Sequence, residues 1–145
     1  MTDFLHVVIY TDGACDPNPG PGGWAAILYS GGHEKVLSGA EPETTNNRME
    51  LTAAVQALQA LKQPCWVDFF TDSEYLKLGI TEWMPNWRER GWKRKGGKLA
   101  NVDLWHALDA ALGEHQIAWH WVRGHAGDAN NRRVDALARR AIHNR

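Results

Sequence analysis

The order of the hydrophobic patterns constrains this chain more than any other feature. Three strand-like runs come first, and only afterwards do strands alternate with helices. Phe4 to Thr11 is an apolar run of strand length ending at Thr11-Asp12-Gly13, and the Gly- and Pro-rich stretch from Asp12 to Gly23 is expected to be a loop. Trp24–Ser30 and Glu34–Ser38 flank Gly31-Gly32-His33, the pattern of an antiparallel hairpin. The period then changes. From Asn46 to Lys62, Ala54, Ala57, Leu58 and Leu61 recur at helical spacing, which predicts an amphipathic helix. A strand follows at Cys65–Phe70, a short helix at Ser73–Gly79, helices at Glu82–Arg90 and Val102–Leu112, a strand at Gln116–Val122 and a helix at Asn130–Ala141. Strands joined through helices pair in parallel with right-handed crossovers. The expected class is α/β: one mixed five-stranded sheet, three strands antiparallel and the rest parallel, with helices on both faces.

A length of 145 residues suits one domain, residues 1–145. The formal net charge of −1 hides an asymmetry. Arg88, Arg90, Lys93, Arg94, Lys95 and Lys98 oppose only Glu89, so this short segment carries +5 and the rest of the chain −6. An acidic body with one basic outgrowth points to a polyanionic partner. Cys15 and Cys65 show neither metal-ligand spacing nor a disulfide framework, which fits a reducing compartment and a cytoplasmic location. Met1 to Tyr10 has no positive n-region and reads as a strand rather than a signal peptide. No run approaches the ~18 apolar residues of a membrane span. No interface pattern stands out, and a monomer is expected.

Four acids stand at informative places, and each has a plain alternative. Asp12 ends the first strand; Asp-Gly is also a common hairpin dipeptide. Glu50 stands three residues after Asn47, as the acid of a capping box would. Yet positions 50, 54, 57 and 61 share one helix face, so Glu50 begins the stripe that packs on the sheet, a costly place for an unused carboxylate. Asp72 follows the Cys65–Phe70 strand and could cap the next helix. Asp135 lies in the first turns of the last helix, where the dipole favours an anion, but Val134, Leu137, Ala138 and Ala141 turn it towards the sheet. Open α/β sheets bind ligands at the carboxyl ends of their strands. Four carboxylates converging there would repel one another unless divalent cations neutralise them.

Thr11-Asp12-Gly13, Thr44-Thr45-Asn46-Asn47-Arg48-Met49-Glu50-Leu51, Thr71-Asp72-Ser73 and Gly124-His125-Ala126-Gly127, with Asp135 beyond, resemble the bacterial type (type 1) of ribonuclease H. The likeness covers nearly the whole chain, including Asn18-Pro19-Gly20-Pro21-Gly22-Gly23 and the tryptophan-bearing basic protrusion at about 83–99. It implies a ribonuclease H-like catalytic domain, an endonuclease that hydrolyses the RNA strand of RNA/DNA hybrids and leaves 5′-phosphate and 3′-hydroxyl ends. It also implies that Asp12, Glu50, Asp72 and Asp135 hold two Mg²⁺ ions, with Mn²⁺ as the substitute. One ion would orient and deprotonate the attacking water and the other would stabilise the leaving 3′ oxygen, the pair being ~3.5–4 Å apart. All-oxygen ligands suit these ions rather than zinc. His125, otherwise a surface histidine in a glycine-bearing loop, matches a family residue that assists proton transfer or product release.

The same resemblance assigns substrate contacts. Hybrids present a wide, shallow minor groove marked by 2′-hydroxyls, and amides that donate and accept can read it. Asn18, Asn46 and Asn47 are the matching residues, with turn and cap duty as their plain alternative. Thr45 and Asn101 match a pocket for a DNA-strand phosphate, and Cys15 lies in the contact loop. Trp83 and Trp87 are i,i+4 neighbours, and Trp92 precedes Lys93-Arg94-Lys95 and Lys98. The tryptophans also suit an aromatic core beneath the protrusion, whereas its cations suit phosphates along the duplex. Two departures stand out. Glu74 occupies a place where many bacterial relatives carry glutamine, and the chain stops at Arg145 without the tail that some relatives pack on the sheet. Two other readings stay open here: a DNA-strand enzyme of a related fold, such as an integrase, transposase or junction-resolving nuclease, and a non-catalytic hybrid-binding module.

Overall fold

The computed structural model describes residues 4–92, 100–123 and 129–144. Its sheet is ordered β3-β2-β1-β4-β5. Strand β1 (Leu5–Cys15) is central; β2 (Gly20–Ser30) and β3 (His33–Thr44) add antiparallel on one side, β4 (Cys65–Thr71) and β5 (Gln116–Trp121) parallel on the other. The mixed five-stranded α/β sheet expected from the order of patterns is present. Helix α1 (Asn46–Gln59) links β3 to β4, α4 (Val102–Leu112) precedes β5, and α5 (Ala129–His143) follows it. No helix among the described residues is long and apolar enough to cross a membrane.

Side-chain alternation divides the core into two layers. Val7 and Ile9 of β1 join Leu51, Ala54, Leu58, Phe69, Trp105 and Leu108 beneath α1 and α4. Tyr10 and Ala14, their neighbours of opposite parity, join Ala25, Ile27, Val134, Ala138 and Ile142 beneath α5. Helices therefore cover both faces. Each large aliphatic or aromatic side chain so buried contributes roughly 1.5–3 kcal/mol.

Several boundaries differ from the sequence reading; β3 runs on to Thr44 where the strand was expected to end at Ser38. The loop expected at Asp12–Gly23 is mostly paired strand, because β1 runs through Asp12 to Cys15 and Gly22 and Gly23 pair with Cys15 and Ala14. Glycine marks a close backbone approach there rather than a turn. The helices expected at Ser73–Gly79 and Glu82–Arg90 follow without a break as α2 (Glu74–Leu78), a π-helical turn (Gly79–Trp83) and α3 (Met84–Glu89). Pro85, which has no N–H to donate, stands at the second position of α3, directly after the π-helical turn.

Candidate active site

Asp12 sits within β1 opposite Ala25, and Asp72 immediately follows β4. The parallel register Tyr10↔Phe70 brings both out at the carboxyl ends of neighbouring strands. Glu50 reaches them because α1 rests directly on β1: a Cβ on Gly13 would lie 2.4 Å from the Glu50 backbone nitrogen. The ligand oxygens of Asp12, Glu50 and Asp72 all lie within 4.8 Å of one another. Asp135, in the second turn of α5, lies close enough to the Asp12 carboxyl to help raise its pKa, and accepts from Arg139 Nε at 3.2 Å to each oxygen.

The plain alternatives for these acids give way one by one. Asp12 lies in the paired last third of β1, not in a hairpin turn. The α1 cap is Thr45, whose Oγ1 accepts from the Arg48 backbone N–H at 3.2 Å, so Asn47 and Glu50 form no capping box. The α2 cap is Ser73, accepting from Leu76 N–H at 3.0 Å, so Asp72 does not serve there. Asp135 lies beyond the first turn of α5, which holds no acid.

Burial and mutual repulsion dominate the electrostatics. Asp12 is pushed up to about 8, first by burial and then by the charge of Asp72. Glu50 is raised well above the usual carboxylate range, again by burial first and then by Asp12 and Asp72. Among the described residues, Glu50 Oε2 is a buried carboxylate oxygen with no hydrogen-bond partner. A crowded, all-oxygen, under-satisfied set is what a hard divalent cation requires, so these residues fit a metal ion of that class.

Polar contacts surround the start of α1. Asn18 Oδ1 accepts from the Asn46 backbone N–H at 3.1 Å, tying the β1–β2 loop to the helix. Asn46 is half-buried and Asn47 exposed. The Cys15 thiol points at the carbonyls of Pro17 (3.2 Å), Gly20 and Thr44 (both 3.4 Å). Arg48 donates to Asn101 Oδ1 at 3.2 Å and grips both oxygens of Asp103 at 3.0 and 2.7 Å. Asn101, in the left-handed region with φ of 58°, donates in turn to Tyr75 Oη at 3.0 Å. Thr45 and Asn101 thus meet through Arg48, a residue that the sequence reading passed over.

The RNase H family model matches residues 5–143. Ribonuclease H of Cupriavidus metallidurans is 59% identical over 138 residues, 94% of this chain and 95% of its own length. Ribonuclease HI of Pseudomonas aeruginosa is 58% identical over 143 residues, 98% of this chain and 97% of its own. This chain belongs to the RNase H family, bacterial type 1. RNase H enzymes are hydrolytic endoribonucleases that use divalent metal ions, and the acid cluster supplies a place for one. Among solved structures, LC9-RNase H1, a type 1 RNase H with the type 2 active-site motif, matches with a TM-score of 0.90 at 34% identity, covering 99% of this chain and 75% of that one. LC11-RNase H1 in complex with an RNA/DNA hybrid shares the fold at a TM-score of 0.72 and 22% identity, covering 95% and 97%.

Within this RNase H fold the tryptophans pack together. Trp83 and Trp87 are half-buried, with ring centroids 5.9 Å apart, and Trp87 stands 5.5 Å from the buried Trp105. Trp92 packs on Trp87 at 6.0 Å and on His106 at 4.3 Å. All three belong to one aromatic cluster. Lys93, Arg94, Lys95, Lys98 and His125 lie outside the described residues. Glu74 is exposed at the first position of α2, where the helix dipole favours its charge.

Proposed function

We propose that this RNase H-family enzyme hydrolyses the RNA strand of RNA/DNA hybrids at the Asp12–Glu50–Asp72–Asp135 centre, as a cytoplasmic monomer in which residues 1–145 form one catalytic domain. One observation carries the reading: three carboxylates converge at the sheet's carboxyl edge, with a Glu50 oxygen buried and unpartnered. The solved complex of LC11-RNase H1 with an RNA/DNA hybrid supports the choice of substrate. Two Mg²⁺ ions, or Mn²⁺ in their place, would supply Lewis-acid activation of water and charge neutralisation at the leaving 3′ oxygen, giving 5′-phosphate and 3′-hydroxyl products.

The chain's own residues hold and orient. Asp12, Glu50 and Asp72 provide the charge that binds cations, and burial keeps competing water from screening it. Asp135 completes the set while Arg139 restrains its carboxylate. Asn18, Asn46 and Asn47 present amides to the minor groove, and Cys15 shapes the loop that carries Asn18. Thr45 and Asn101 take a DNA-strand phosphate; Asn101 already spends its Oδ1 on Arg48 and one N–H on Tyr75, so its second N–H is the group to offer. His125 assists proton transfer or product release. Trp83, Trp87 and Trp92 support Lys93, Arg94, Lys95 and Lys98 as they follow the duplex phosphates, and Glu74 accepts hydrogen bonds beside the groove without donating any.

Incubation with RNA/DNA, RNA/RNA and DNA/DNA duplexes, with Mg²⁺ and with EDTA, tests the proposal. Cutting confined to the RNA of the hybrid, and only with Mg²⁺, is expected. Equal cutting of DNA duplex, or full activity in EDTA, would overturn it; binding without cleavage in Mg²⁺ would favour a hybrid-binding module.

A further inference from the structure

The acid cluster alone does not explain how Asp135, carried by the helix on the face opposite α1, is held against Asp12. Helix α5 touches β2 backbone to backbone at Gly23, where a Cβ would lie 2.3 Å from the Ala138 carbonyl oxygen and 2.9 Å from the Ile142 nitrogen. That contact sets the distance between helix and sheet in the second half of α5. Its first turns are held differently. Tyr29 Oη donates to Asn130 Oδ1 at 2.8 Å, and Arg133 Nη1 donates to Tyr29 Oη at 3.2 Å. The Arg133 guanidinium also grips both oxygens of Glu34, with Nη2 to Oε2 at 2.7 Å and Nη1 to Oε1 as the second arm. Tyr29 and Glu34 face each other across the β2–β3 hairpin, in register as a strand pair.

Helix geometry links this clamp to the site. Val134 is fully buried, and Arg133 and Asp135 lie ~100° to either side of it. Any roll of α5 therefore moves both together, and fixing Arg133 fixes Asp135. Tyr29 pairs with Val8, four residues before Asp12, which puts the Tyr29 backbone roughly 13 Å along the sheet from Asp12 at ~3.3 Å per residue. The Arg133 guanidinium is turned to Tyr29 and Glu34. A half-exposed pair of this kind adds little to stability, so orientation is the use left for it. We propose that Tyr29, Glu34 and Arg133 are positioning residues, which set the roll of α5 and so hold Asp135 in place against Asp12. The proposal rests on the hybrid-cleavage reading above.

A double-mutant cycle tests it. kcat and KM on the hybrid are measured for wild type, Arg133→Ala, the milder Tyr29→Phe, and each of these combined with Asp135→Ala, well below every melting midpoint. Arg133→Ala is expected to lower kcat about tenfold with KM within about twofold, as for other losses of a ligand-orienting neighbour. Tyr29→Phe should follow in the same direction. Neither change should cost anything further once Asp135 is alanine. A kcat within about twofold of wild type for both variants, or the same loss with and without Asp135, would overturn the proposal. Amide hydrogen exchange in the metal-free protein gives a reading independent of cleavage: residues 131–137 should exchange about tenfold faster in Arg133→Ala, and unchanged exchange would overturn the clamp. Failure of the wild type to cut hybrids would sink the functional reading alone, leaving exchange to judge the clamp.

Discussion

A carboxyl group that holds its proton to about pH 8, as Asp12 does, makes the fold depend on pH in a definite direction. Its folded value lies above the usual one, so the folded state binds the proton more tightly than the unfolded chain. The resulting stability is fully present below about pH 4 and is lost as pH rises through about 8. Glu50 acts in the same direction. Asp68, Asp103 and Glu34, lowered by His120, Arg48 and Arg133 respectively, act oppositely and lose their contribution as pH falls. The comparison of wild type with Asp12→Asn isolates the first effect. In EDTA the wild-type melting midpoint should fall relative to that of the variant between pH 4 and 8, leaving Asp12→Asn the more stable at pH 8. Parallel pH profiles would show that Asp12 carries no such strain. His125→Ala, by contrast, should slow hybrid cleavage by at most ~10²-fold, the low end for general acid–base assistance. Complete loss would put His125 in the essential centre.

Elements bring these residues together, and the junction of α1 with β1 matters most. Gly13→Ala would drive a methyl group to 2.4 Å from the Glu50 nitrogen and 2.5 Å from the Met49 carbonyl carbon, both backbone atoms of α1. The helix must shift, taking Glu50 with it. The expected result is a loss of roughly 1–3 kcal/mol in chemical denaturation together with a marked fall in cleavage rate; wild-type stability and rate would mean that the contact is loose. At this scale the helical stripe from Glu50 through Ala54, Ala57 and Leu61 was legible, because burial on one face leaves a period in the sequence. The glycines around Gly13 and Gly22 were misleading, since one composition serves a loop and a strand beneath a close-packed helix. The capping alternatives could not be separated by spacing, as Thr45, Asn46 and Asn47 are all competent caps. Only the backbone geometry selects Thr45.

For the whole molecule, the sequence order of strands and helices was enough to expect the mixed sheet, since crossover rules leave few topologies. Asp12, Glu50 and Asp72 were legible as a set because sheet topology brings strand ends together. Pairs such as Arg48–Asp103 and Arg133–Glu34 were not, for they join residues 55 and 99 positions apart with no periodic trace. The uneven charge, +5 on one segment against −6 elsewhere, concerns affinity more than chemistry. Replacing Lys93, Arg94, Lys95 and Lys98 with alanine should raise KM with kcat nearly unchanged, and flatten the log K against log salt slope by up to about one per lost phosphate contact. A large fall in kcat at unchanged KM would contradict that division. The central claim is that the carboxylates form the hydrolytic centre. Its most direct measurement is the initial rate of hybrid cleavage in Mg²⁺ by Asp12→Asn, Glu50→Gln and Asp72→Asn, each first shown to melt cooperatively. Each variant keeps its shape and loses one ligand charge, so a loss of at least ~10²-fold is predicted for all three; near wild-type rates in all three would contradict the account.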